Sequence, residues 1–159
     1  YGTISIKEGS VYINNGELLG GKFTIDMSTI VVLDIEDKEM NQNLVNHLNS
    51  PDFFSVDSFP TASFEFSTVK PFSPSAENEY QVKPTHEIEG NLTIKGITKM
   101  ISFPANVEIN DDGLKAETPQ FLLNRTNWNI NYGSKSIFDN LKDNFIHDEM
   151  GITIKLSTY

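Results

Sequence analysis

Apolar and polar residues alternate with a period of two along most of this sequence, and this pattern constrains the fold more than any other feature. It begins at Ile4 and Ile6, recurs at 62–66, and returns along 86–95 and 101–109. Successive side chains of a β-strand point to opposite faces, so each stretch indicates a strand with one apolar face. We therefore expect seven or eight antiparallel strands in an all-β barrel or sandwich.

Asx-Gly dipeptides separate several of these stretches. Asn14-Asn15-Gly16 and Asp111-Asp112-Gly113 are typical hairpin turns, because both central residues tolerate a positive φ. Lys95-Gly96 predicts a further turn, and Gly20-Gly21 inside a strand predicts a bulge or a sharp bend. We expect one strand over 114–123, with an edge or bulge at its proline, and a last strand over 150–156.

One segment, 36–49, breaks the alternation. Its apolar residues are spaced by four, which predicts a short amphipathic helix with Asp34 or Asp37 as N-cap. Pro51 marks the end of the helix. The apolar residues are Met40, Leu44 and Leu48.

Length and charge restrict the function. The chain has 159 residues, which predicts one domain over 1–159. It carries 22 acidic and 12 basic side chains, a formal net charge of -10. Such a surface repels phosphate backbones and anionic headgroups, so we expect neither nucleic-acid binding nor electrostatic docking to a membrane.

The chain has no cysteine, which excludes disulfides, thiolate metal ligands and cysteine nucleophiles. No apolar run approaches the ~20 residues that span a bilayer, so we expect no transmembrane segment. Because the sequence opens inside an alternating stretch, we also expect that an N-terminal strand or signal segment is missing.

No constellation typical of an enzyme is present. His47, His86 and His147 lie far apart and in no ligand-like spacing, and the sequence contains no nucleophile-elbow, phosphate-loop or dinucleotide motif. We therefore predict a protein that is not an enzyme, with no catalytic residue, no metal site and no cofactor.

The apolar residues in phase along the strands are the candidates to face the interior of a barrel. An eight-stranded barrel has room for side chains or for one small ligand. These residues therefore either pack against each other or line a cavity, and the alternation leaves both open. The candidate ligand-binding residues on the strands are Phe23, Ile25, Phe64, Phe66, Leu92, Ile94, Phe103, Val107, Phe121, Leu123, Ile152 and Ile154, and Trp128 is added from the stretch 124–134.

Three stretches carry a family resemblance. The first runs His-Leu-Asn-Ser-Pro-Asp-Phe-Phe at 47–54 and continues through Phe-Pro-Thr-Ala-Ser-Phe at 59–64. The second, at 90–99, runs Gly-Asn-Leu-Thr-Ile-Lys-Gly-Ile-Thr-Lys, and the third, at 124–134, begins Asn-Arg-Thr-Asn-Trp. Their order and spacing resemble the YceI-like family of polyisoprenoid-binding proteins over nearly the whole chain.

The resemblance implies a lipocalin-like antiparallel β-barrel with a helix near one end, which sequesters or carries an isoprenoid, fatty acid or similar amphiphile. It also implies a periplasmic or secreted location. Two departures stand out. The family usually has a further strand before the point where this chain starts, and it commonly has Asp-Arg where this chain has Asn124-Arg125.

Two residues of the third stretch have alternative roles. Arg125 is the candidate for binding a ligand headgroup by charge-assisted hydrogen bonds, or it ties its loop to neighbouring carbonyl or carboxylate groups. Trp128 either caps the mouth of the barrel or fills its floor.

We predict a lipid-binding β-barrel of about eight strands with one short helix, whose partner is a long-chain lipid or isoprenoid. A filled-core barrel that acts as a protein interaction domain is the first alternative, and an enzyme on a hydrophobic substrate is the second. A homodimer is left open.

Overall fold

The computed structural model describes residues 1–74, 79–139, 141 and 145–158. It is 54% β-strand, with a curled antiparallel sheet that forms a half-barrel, and this confirms the predicted all-β class. The strands are β1 (Gly2–Asn14), β2 (Glu17–Val32), β3 (Thr61–Pro71), β4 (His86–Ile94), β5 (Ile97–Asn110), β6 (Gly113–Glu117), β7 (Phe121–Asn124), β8 (Glu149–Ile152) and β9 (Lys155–Ser157). The α-helix is α1 (Lys38–Asn49), and a 3-10 helix follows β7 at Arg125–Trp128.

Seven strands form one sheet in the order β1-β2-β3-β4-β5-β6-β9, and β7 pairs with β8 in a separate two-stranded sheet. Each pair of neighbouring strands in the order from β1 to β6 is antiparallel and consecutive in sequence. Within the described residues, β1 and β9 are therefore the two edges of the curled sheet.

The predicted turns join these strands. Asn15 and Gly16 have φ values of 51° and 77°, and Lys95 and Gly96 have values of 50° and 72°. Positive φ at both central residues matches the right-handed twist of the flanking strands, so each turn directs its two strands back together. The register between β1 and β2 shifts between Tyr12 and Ile13, which confirms an irregularity beside the Gly-Gly pair.

Two predicted strands are each divided in two. The stretch 114–123 is broken at 118–120, so that β6 pairs with β5 and β9 whereas β7 pairs with β8. The stretch 150–156 is broken between β8 and β9. The cause at the first break is local, since Thr118 bonds Ile154 through both its backbone N–H and its side-chain oxygen, and Pro119 has no backbone N–H to donate.

The helix lies where the spacing of four predicted it. Asp37 is the N-cap, and its side chain accepts a hydrogen bond from the backbone N–H of Met40 at 2.8 Å. The side-chain amide of Asn41 donates to the carbonyl oxygens of Val32 and Ile35, which ties the helix to the end of β2. No residue of α1 is buried, and Met40 is 63% exposed, so only the C-terminal end of the apolar stripe packs on the core.

Candidate ligand-binding site

Phenylalanine rings cross the concave face of the half-barrel in one row. Cross-strand pairing sets Phe23 of β2 opposite Phe64 of β3, and side chains opposite each other on paired strands share a face. Ring centroids lie 6.4 Å apart for Phe23 and Phe66, 5.6 Å for Phe66 and Phe64, 5.5 Å for Phe64 and Phe103, and 4.6 Å for Phe103 and Phe121. We call these five residues the aromatic row.

The thirteen residues predicted to bind a ligand all belong to one apolar cluster. Several of them contact each other directly within that cluster, as the aromatic row shows, and their role in ligand binding stays a prediction. Eight of them are buried: Phe64, Phe66, Leu92, Ile94, Phe103, Val107, Leu123 and Trp128. Five are partly buried: Phe23, Ile25, Phe121, Ile152 and Ile154.

The inner face is accessible near the edge of the sheet. By register, Ile6 of β1 lies opposite Ile25, and Ile13 lies opposite the buried Leu18, so both share the inner face. Ile6 is 38% exposed and Ile13 is 41% exposed. The aromatic row reaches this region through Phe23, which is half-buried. We call Ile6, Ile13 and Phe23 the open margin of the site.

A second accessible region is a pocket between the end of α1 and β8, with a volume of about 440 Å³. This volume falls within the range of about 300–1,000 Å³ that is usual for small-molecule sites. Its walls are mostly apolar, and we call it the α1–β8 pocket. The lining residues are Leu48, Phe53, Phe54, Arg125, Phe145, Ile146, His147, Glu149 and Met150.

The side chain of Arg125 forms one wall of this pocket and is 2% exposed. Its Nη1 donates to the carbonyl oxygen of Ile130 at 2.7 Å, its Nη2 donates to that of Ile146 at 2.9 Å, and its Nε donates to that of His147 at 3.0 Å. All three nitrogens thus donate to backbone carbonyl groups. This is the second of the two roles considered for Arg125, in which it ties its segment to neighbouring carbonyl groups. The headgroup role itself stays a prediction.

Two further groups surround this guanidinium. Nη2 lies 3.6 Å from Oδ1 of Asp148, and the ring of Phe53 lies beneath Cζ at 5.6 Å. Burial lowers the pKa of Arg125, and the neighbouring carboxylate of Asp148 opposes that shift. The guanidinium group of Arg125 therefore joins the 3-10 helix to the segment that leads into β8.

Asp148 is held by hydroxyl groups. The hydroxyl groups of Ser134 and Ser136 lower the pKa of this carboxyl below its ordinary value, and the charge of Arg125 lowers it further. Burial acts in the opposite direction but does not prevail. The carboxylate therefore links Ser136 to the residues just before β8, close to the isolated β-bridge that joins Ser134 and Ile146.

Trp128 lies in the buried apolar core of the half-barrel. It is 1% exposed, and its indole Nε1 donates to the carbonyl oxygen of Leu92 at 3.1 Å. The 3-10 helix that carries it is capped by Asn124, whose Oδ1 accepts from the N–H of Thr126 at 3.0 Å and from its hydroxyl at 2.7 Å. An amide oxygen caps as a carboxylate oxygen does, so the departure from Asp-Arg preserves the cap.

The α1–β8 pocket was not predicted from the sequence. Leu48, Phe53 and Phe54 stand inside the first family-like stretch, and Met150 is in phase with the last predicted strand. Those signals mark each residue as apolar and inward but do not bring the two segments together. The ring of His47 adds to the same region, since it packs edge-on against Phe53 at 5.0 Å and Tyr132 at 4.6 Å.

Within the part of the chain that the structure describes, no three His, Asp or Glu side chains are grouped in a way that could hold a metal ion. The described helices include none that is both long and apolar enough to cross a membrane.

Solved structures with the same fold cover nearly all of this chain. BcnA from Burkholderia cenocepacia superposes with a TM-score of 0.66 at 21% identity, over 96% of this chain and 83% of that one. A YceI protein from Campylobacter jejuni gives 0.60 at 19% identity, over 98% and 83%. A chain described as a polyisoprenoid binding domain, from Saccharophagus degradans, gives 0.60 at 11% identity, over 96% and 82%.

Curated relatives match a shorter part of the sequence. A UPF0312 protein of Pseudomonas aeruginosa is 39% identical over 61 residues, which are 38% of this chain. The match spans 27% of the length of that relative.

The model of the YceI-like domain matches residues 1–158, from the first strand through the described end of the chain. Together with the half-barrel, the helix α1 and the solved neighbours, this match shows that the chain belongs to the YceI-like domain family.

Proposed function

We propose that this protein binds one long-chain amphiphile, an isoprenoid or a fatty-acid-like lipid, and carries or stores it. The observation that supports this most is the aromatic row, which runs from the half-buried Phe23 at the open margin to the half-buried Phe121 beside β8. A continuous apolar surface with accessible ends suits a flexible hydrocarbon chain better than a compact polar substrate.

Energetics are consistent with this proposal. Each CH₂ group moved from water to an apolar site contributes about 0.8 kcal/mol, so a long chain needs few polar contacts to bind. Ordering of the chain and association costs offset much of that gain. The accessible polar atoms close to the site, such as those of His147 and Glu149, lie at the α1–β8 pocket, where a headgroup remains near water.

The similarity to other proteins supports the same class of ligand. The chain shares its fold with a Saccharophagus degradans chain described as a polyisoprenoid binding domain. We infer a binding role rather than a catalytic one, and a periplasmic or secreted location, which fractionation of cells that express the full-length protein would test.

Mass spectrometry of an organic extract of the purified protein tests the ligand directly. We expect a long-chain lipid at a constant ratio to protein, and we expect the delipidated protein to bind a fluorescent long-chain fatty acid with saturation. An empty extract and no saturable binding would reject the proposal and leave the filled-core interaction domain in its place.

Two neighbouring residues of β7 provide a matched pair of variants. Phe121 faces inward and stacks on Phe103, whereas Leu122 is 59% exposed, so the two point to opposite faces. The substitutions Phe121→Asp and Leu122→Asp both replace an apolar side chain with the same carboxylate. An unpaired carboxylate on the inner face is costly beside a hydrocarbon chain. Among folded proteins, Phe121→Asp should therefore weaken fatty-acid binding at least about tenfold, while Leu122→Asp should bind like the parent.

A further inference from the structure

Three glycines lie on the inner face of the sheet, each opposite or beside a ring of the aromatic row. Gly9 of β1 pairs with Phe23, Gly21 of β2 pairs with Phe66, and Gly90 of β4 pairs with Phe66 from the other side. Glycine inside a strand is unfavourable unless another group approaches its backbone closely. Here the approaching groups are the phenylalanine rings.

The space above two of these glycines is limited by backbone as well as by rings. A Cβ atom on Gly21 would lie 2.6 Å from Cε1 of Phe66 and 2.9 Å from the carbonyl oxygen of Ser10. A Cβ atom on Gly90 would lie 2.5 Å from the carbonyl oxygen of Glu65. A side chain at either position would therefore require the sheet itself to move.

Gly9 is different. A Cβ atom there would lie 2.1 Å from Cδ1 and 2.6 Å from Cε1 of Phe23, and the nearest backbone atom, the carbonyl oxygen of Lys22, would be 3.0 Å away. The main obstacle is thus one half-buried ring at the open margin. That ring can rotate away from β1, and the direction left to it is the interior of the half-barrel.

We propose that Gly9 is a specificity-determining residue of the lipid site, because it provides the recess in which the Phe23 ring lies. With the ring in this recess, the open margin is wide enough for a methyl-branched hydrocarbon chain. A side chain at position 9 moves the ring into the path of the ligand, so that only a slim, unbranched chain fits. This inference rests on the proposed function and adds the shape of the chain to it.

A purely structural role for Gly9 is the competing explanation. A ring that covers a glycine in an edge strand stabilises that strand by contact alone. Such a role affects stability but not the ratio of affinities for two ligands. The ratio of affinities for a branched and an unbranched chain therefore separates the two explanations.

Phytanol and hexadecanol are suitable ligands, since both are saturated alcohols with the same main-chain length and only phytanol has methyl branches. Their affinities are measured by displacement of a fluorescent fatty acid from delipidated parent, Gly9→Ala and the outward-facing control Ser10→Ala. A hydrophobic site discriminates an added carbon by roughly tenfold or more. We expect Gly9→Ala to lower the affinity for phytanol about tenfold relative to hexadecanol, and Ser10→Ala to leave the ratio as in the parent.

The double variant Gly9→Ala with Phe23→Leu removes the displaced ring and should restore the ratio of the parent. An unchanged ratio in folded Gly9→Ala overturns the inference while the proposed function stands. A parent protein that binds neither alcohol and no fluorescent fatty acid overturns both. If Gly9→Ala does not fold, the variant Phe23→Trp enlarges the ring instead of filling its recess. It should lower the affinity ratio in the same direction. An unchanged ratio in Phe23→Trp would overturn the inference.

Discussion

The indole Nε1 of Trp128 donates a hydrogen bond to the backbone carbonyl oxygen of Leu92, with 3.1 Å between nitrogen and oxygen. This hydrogen bond joins the 3-10 helix to the C-terminal part of β4, and therefore joins the third family-like stretch to the second. Both residues are buried, so neither atom has water as an alternative partner.

The Trp128→Phe variant tests the contribution of this contact. The change removes a buried hydrogen bond and leaves space where the larger indole ring packed, so we expect the free energy of unfolding to fall by about 2–3 kcal/mol. Chemical denaturation followed by circular dichroism measures the loss, since the chain has only one tryptophan to report by fluorescence. Tyr132→Phe, at a residue that is 46% exposed, is the control and should change stability little.

Arg125→Lys tests the guanidinium tie. A lysine keeps the charge but cannot donate to three separated carbonyls from one planar group, so we expect a loss of about 3 kcal/mol. Thermal unfolding of the two proteins at neutral pH gives the comparison. Lys135→Arg alters an exposed cation next to the buried Ser134 and should leave stability nearly unchanged. Equal unfolding free energies for Arg125→Lys and the parent would contradict the structural role of these hydrogen bonds.

Asp148 makes stability depend on pH. Its pKa is lowered in the folded state, so the folded protein favours the carboxylate more than the unfolded chain does. The resulting stabilisation is fully present above the ordinary value of 3.8 and is lost as the pH falls through the lower folded pKa. We expect Asp148→Asn to be less stable than the parent at neutral pH, with a difference that shrinks on acidification to about pH 3. A difference that stays constant across this range would show that the charge of Asp148 is not responsible.

Phe64→Ala tests how the aromatic row divides its role between packing and binding. The ring is buried and contacts both Phe66 and Phe103, so truncation should cost about 3–5 kcal/mol. The space it leaves should let the folded variant retain longer chains, measured as a shift in affinity along a series of fatty alcohols. Glu65→Ala, at the adjacent outward position, should change neither property.

Local patterns were sufficient for much of the fold. The Asn-Gly and Lys-Gly turns, the helix with its Asp37 cap, and the inward phase of the strands all depend on residues close together in sequence. The two divided strands could not be predicted in this way. A break at 118–120 exchanges one partner strand for another, and the periodicity of a single strand contains no information about its partner.

The site was predictable only in part for the same reason. Phase along the strands identified twelve of the thirteen predicted residues, and these twelve do share one cluster with Trp128. It could not identify which of them remain accessible, because exposure depends on what neighbouring elements cover. The partners of Arg125 at Ile130, Ile146 and His147 are backbone carbonyls, which no pattern of side chains reveals.

The arrangement of the last strands has a consequence for the order of folding. From β1 to β6, each strand pairs with the strand that follows it in the sequence. The pairs β7–β8 and β6–β9 are nested instead, with β6–β9 enclosing β7 and β8. Closing long loops slows folding. The β1–β2 hairpin and the strands from β3 to β6, which have shorter connections, should therefore form early. The wall that holds Phe121, Met150 and the α1–β8 pocket should be completed later, when β8 pairs with β7 and β9 pairs with β6.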